Sequence, residues 1–138
     1  MQLTDHFKRK FSFATIGLAS IHLVLEGLYT IRFGQHFLGL LPDLVADALL
    51  FWGSVLLLKE PKAPGILCGA WGFTLCLHYR AFAWRFEEYL AGTSDSVVDG
   101  TMYVLASTMV ISIVCFAVTL WMCLPAHQAD GPDGSIHE

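Results

Sequence analysis

Charge is the scarcest thing in this chain. Lys, Arg, Asp and Glu make up 14% of its 138 residues, against roughly 25% in an average soluble protein, and they cluster so that long stretches carry none. Positive charge is especially thin. Lys8-Arg9-Lys10 forms the only basic run, and the net charge is −4. Nucleic-acid binding needs a cationic footprint, so nucleic acid is excluded as a partner. No C-x-x-C pair occurs among Cys68, Cys76, Cys115 and Cys123. Thiol redox chemistry and structural zinc therefore lack their usual spacing, and these side chains read as small apolar fillers. A nucleophile elbow, a P-loop and a zinc-protease motif are missing too. No cofactor and no metal are assigned.

What the chain has in quantity is apolar residue, at 55%. A soluble domain of this length has too little interior to hide that much oil, so the composition predicts an integral membrane protein. A spanning helix takes about 20 mostly apolar residues, and four stretches qualify, at about 11–33, 42–58, 63–85 and 97–124. The breaks between them fit this reading: "FGQHFLGLLPD" and "KEPKAPG" carry Gly and Pro, and "EEYLAGTSDS" is polar with one Gly. Pro42 suits the first turn of a helix, where its missing N–H costs nothing. The expected fold is all-α, a four-helix bundle of transmembrane spans with short loops. It forms a single domain over 1–125, followed by a disordered polar tail at 126–138. Lys8, Arg9 and Lys10 before an apolar run resemble a signal peptide. No small-residue cleavage site follows, so the run is read as a retained span.

Orientation follows the basic residues. Lys8, Arg9, Lys10, Lys59 and Lys62 fall on one side, Arg32, Arg80 and Arg85 on the other. This places both termini in the cytoplasm, at the inner membrane if the source is bacterial. "DLVAD" opens the second span and "DSVVD" the fourth, and the span before each carries a histidine, His22 or His78. Two similar helical hairpins would give this pattern.

The polar residues inside the spans carry the functional question. At 1.5 Å of rise per residue, Glu26 and His78 each lie roughly 10 Å inside the outer ends of their spans. Asp47 and Asp99 lie a few residues inside theirs, and His22 sits one turn below Glu26 on the same face. Helix-end electrostatics accounts for Asp43, Asp95 and Asp99 at the starts of spans and for Arg32, Arg80 and Arg85 at the ends. His22, Glu26, Asp47 and His78 resist that account. A charge near the bilayer centre costs at least about 2.5–3.5 kcal/mol, so it usually faces the bundle interior beside a partner. The expected cluster is Glu26, Asp47, His78 and Arg80, with His22 as a donor, Asp99 at the same membrane face and Tyr103 as a hydrogen-bond partner.

Such a cluster supports three readings. In the leading one, an outer-side polar pocket binds a lipophilic small molecule, and its carboxylate and imidazole can transform that molecule by acid–base chemistry. In the second, the cluster only fixes helix packing, and the chain is a non-catalytic subunit or scaffold of a homo-oligomer or larger membrane complex. In the third, the outer acids Glu26, Asp43, Asp47, Glu87, Glu88, Asp95 and Asp99 concentrate cations for a cation- or proton-linked transporter. The inner half of the spans has no acids to complete that path. Haem ligation by His22 and His78 meets a depth difference of about four residues, roughly 6 Å. The paired Glu-x-x-His signature of di-metal bundles is absent.

Overall fold

The computed structural model describes residues 4–34, 36–94 and 96–124. The expected tail and Asp95 lie outside the described residues. Four helices follow one another: α1 Asp5–Phe33, α2 Phe37–Lys59, α3 Gly65–Leu90 and α4 Ser96–Cys123. The Thr4 hydroxyl caps α1 by accepting from the Phe7 amide at 3.4 Å. Gly34, at φ 65°, closes the helix in the left-handed conformation that glycine adopts without strain.

Three helices are long and apolar enough to cross a membrane, over Asp5–Arg32, Phe37–Lys59 and Val97–Cys123. The third in order, α3, has the length, 26 residues. It is not among those three, and its second half carries Arg80, Arg85, Glu87 and Glu88. Three boundaries differ by five residues or more from the sequence reading, the first being α1, which starts at Asp5 rather than at Phe11. α2 starts at Phe37 rather than at Pro42, because the apolar residues before the proline join the helix. α3 continues past Arg85, so Glu87 and Glu88 are helical rather than loop. An Arg85–Glu88 ion pair at 3.0 Å bridges one turn there.

Burial is inverted relative to a soluble bundle. Large apolar side chains point outward all along the helices, with Ile31 84% and Leu38 79% exposed. The buried set instead contains Ser12, Thr15, Asp47, Ser54, Thr74, His78, Ser112 and Thr119 beside a small core of Ala19, Leu50, Leu57, Leu67, Ala70 and Trp71. Lipid is as apolar as leucine, so a bundle in a bilayer gains nothing by hiding leucine. It gains by burying small and polar groups.

The helices pack in chain order, α1 on α2, α2 on α3 and α3 on α4. Among the described residues no backbone approach joins α1 to α4, so the bundle has an open seam there. The tightest approach is at Gly53, where a Cβ would lie 2.8 Å from the Leu67 Cα. At Gly72 it would lie 3.1 Å from the Phe116 ring. Gly65 and Gly69, spaced as G-x-x-x-G, face open space. Trp71 sits in the core at 3% exposure. At the end holding the start of α1, the Lys8 Nζ donates to the Pro61 carbonyl at 2.8 Å.

Candidate functional site

Two polar pairs occupy the middle of the bundle, one in each hairpin. In the first, the His22 Nδ1–H of α1 donates to both carboxylate oxygens of Asp47 on α2, at 3.0 and 3.2 Å. In the second, the His78 Nδ1 of α3 shares a hydrogen bond of 2.8 Å with the Ser112 hydroxyl of α4. The two imidazoles meet edge to face with centroids 5.6 Å apart. The depth offset expected between His22 and His78 is thus closed in the folded chain. The side chains link all four helices in the order Asp47, His22, His78, Ser112.

Helix register explains why these groups meet. Because α2 starts at Phe37, Asp47 lies ten residues in, about 15 Å along the axis, near the helix midpoint rather than close to one membrane face. The Asp47 side chain is 4% exposed and that of His22 22%. A carboxylate this deep needs a partner, and His22 supplies it. Accepting at both oxygens, Asp47 also fixes the imidazole tautomer and leaves Nε2 as the reactive nitrogen.

The other expected members are placed as follows. Glu26 is half-buried one turn from His22 on α1. With the half-buried Asp43 it adds to the negative field that Asp47 exerts on His22. Arg80 is exposed. Tyr103 is 71% exposed, so the hydroxyl that meets His78 is that of Ser112. Asp99 is half-buried in the first turn of α4, and its Oδ1 has no hydrogen-bond partner among the described residues. Ser112 escaped the sequence reading because a lone serine inside "VISIVC" normally bonds its own helix. The available signal was its position 34 residues from His78 across a short hairpin.

A cavity of about 60 Å³ lies against the histidines. Its walls are Leu18, Ala19 and His22 from α1, Leu50 from α2, Trp71, Thr74 and His78 from α3, and Thr108, Ile111 and Ser112 from α4. The walls on α1 and α4 border the open seam, and Ile111 is 41% exposed. Drug-sized ligands occupy roughly 300–1,000 Å³, so this space holds a few heavy atoms only. No group of three or more His, Cys, Asp or Glu among the described residues is arranged to hold a metal ion.

Comparison with protein-family models, with curated proteins and with solved structures finds no match in any of the three.

Proposed function

We propose that the chain is a multi-pass membrane protein of four spans, α3 included, with both termini cytoplasmic. Its central cavity takes the polar head of a lipophilic small molecule and exchanges a proton with it at the His22–Asp47 dyad. One observation carries this reading: a partly accessible imidazole, backed by a buried carboxylate, forms the wall of a cavity that borders a lipid-facing seam. The cavity volume sets the binding mode. A head of a few heavy atoms enters between α1 and α4, and the tail stays in the bilayer. Once the head is inside, His22 Nε2 takes or gives the proton, and Asp47 stabilises the imidazolium that forms. The apolar walls exclude bulk water and strengthen each electrostatic contact.

A continuous cation path is less well supported. Leu57 and Leu67, at 1% and 0% exposure, fill the core toward the end where α1 begins. The scaffold reading has no observation in its favour that the lipid environment does not already explain.

The test uses detergent-purified protein and native mass spectrometry against a long-chain quinone, a sterol and an isoprenoid alcohol. A one-to-one adduct with one of them is expected, abolished by Ile111→Trp, which fills the cavity, and weakened about tenfold or more by His22→Gln. Adducts that survive Ile111→Trp, or the absence of any adduct, would remove the cavity as a binding site.

A further inference from the structure

We propose that Thr15, Ser54 and Trp71 hold a small cluster of buried water that forms the floor of the histidine cavity. Each residue of the two central pairs has a second polar residue seven positions away, toward the end of the bundle where α1 begins. His22 is followed by Thr15, Asp47 by Ser54, His78 by Trp71 and Ser112 by Thr119. Seven residues make nearly two full turns, about 10.5 Å, so each partner stays on the same helix face. All four are buried, at 1%, 0%, 3% and 0% exposure.

Only Thr119 is satisfied, by donating to carbonyls of its own helix. The Thr15 Oγ1, Ser54 Oγ and Trp71 Nε1 are buried with no hydrogen-bond partner among the described residues. This is unusual within the same chain. Ser12 and Thr74, also buried, each donate to the carbonyl four residues back. Thr15 and Ser54 have that acceptor available and turn away from it. A buried hydroxyl left dry loses its hydration for nothing in return, so a third group must meet it.

Helix register sets the three groups at a common level below the central pairs. His22 and Asp47 are hydrogen-bonded across α1 and α2, so Thr15 and Ser54, seven residues below each on the same helix faces, fall at a common level. Ala19 and Leu50, one turn above them, share a core cluster with Trp71. Ala19, Leu50 and Trp71 all line the cavity. Leu57 and Leu67 fill the core on the far side, and Trp71 joins the group to the cavity wall. Water is the ligand class that fits, since it both donates to hydroxyl oxygens and accepts from an indole N–H, and needs two to four such partners. For the proton exchange proposed above, on which this consequence rests, the floor supplies a hydrogen-bonding medium below the histidines.

The test is Thr15→Val and Ser54→Ala, singly and together, in detergent-solubilised full chain. Both substitutions keep the side-chain volume close to native. Each should lower the unfolding midpoint, and the double variant should lose less than the sum, because the two hydroxyls share water. The Trp71 indole N–H, followed by nitrogen-edited NMR in deuterated water, should exchange at least tenfold more slowly in the double variant. A rise in stability in either single variant, the mark of a dry orphan, overturns the proposal. So does a wild-type indole proton as protected as the core backbone amides. The adduct assay separates the two ideas: adducts without indole exchange refute the water floor alone, and exchange without adducts refutes ligand binding alone.

Discussion

The two hairpins of the bundle start from the same residue and answer it differently. Each places a histidine in its first helix, His22 in α1 and His78 in α3. The α1–α2 hairpin meets its histidine with a carboxylate, whereas the α3–α4 hairpin meets its own with a hydroxyl. The pentapeptides "DLVAD" and "DSVVD" suggest an internal repeat in which Asp99 would correspond to Asp47. In the folded chain Asp99 stays in the first turn of α4, and Ser112, more than three turns further along, takes the place beside His78. The two histidines touch, yet only His22 has a carboxylate beneath it to stabilise a positive charge. In the proposed function the two differ in role: His22 handles the proton, and His78 orders the cavity wall.

That asymmetry has measurable consequences. The largest is expected from His22→Leu, which leaves the Asp47 carboxylate buried and unpaired. Unfolding in detergent should show a loss of about 3–5 kcal/mol. Adding Asp47→Leu should restore most of it, because a well-packed apolar pair replaces an ion pair at little net cost. If His22→Leu alone proves neutral, Asp47 does not depend on His22 and the contrast between hairpins collapses.

A smaller effect is expected in the second hairpin. Ser112→Ala removes a hydrogen bond without stranding a charge, and should cost about 0.5–1.5 kcal/mol in the same assay. A loss equal to that of His22→Leu would make the hairpins equivalent. The smallest effect belongs to Tyr103→Phe. An exposed phenol outside the central pairs should change stability by less than about 0.5 kcal/mol and leave any adduct intact. Loss of the adduct in this variant would draw α4's outer turn back into the site.

Much of the helical layout was open to sequence reading. Four apolar runs separated by polar or Gly- and Pro-containing breaks map onto α1 to α4, because hydropathy is a local property that adds along the chain. The ends were read less well. Pro42 looks like a helix start, yet a proline near the start of a longer helix loses only one hydrogen bond, and five further residues join. Arg85 looks like an end, but its pairing with Glu88 continues the helix. In the site, His22, Asp47 and His78 stood out because each lies at least one turn inside an apolar run, where polarity demands a partner. Ser112 and the Thr15, Ser54 and Trp71 group did not stand out. Hydroxyls and indoles are cheap enough in apolar helices to pass without notice, and their seven-residue spacing from the central pairs acquires meaning only once those pairs are known.

Composition and hydropathy were sufficient to show a membrane-like chain of helices, since both depend on residue type and order alone. Which polar groups met inside was a question of helix rotation and register. Those follow from contacts between residues distant in the chain, such as the close passage of Gly53 over Leu67. A shift of one residue turns a helix face by about 100° and would carry Asp47 away from His22, so the site belongs to the packing.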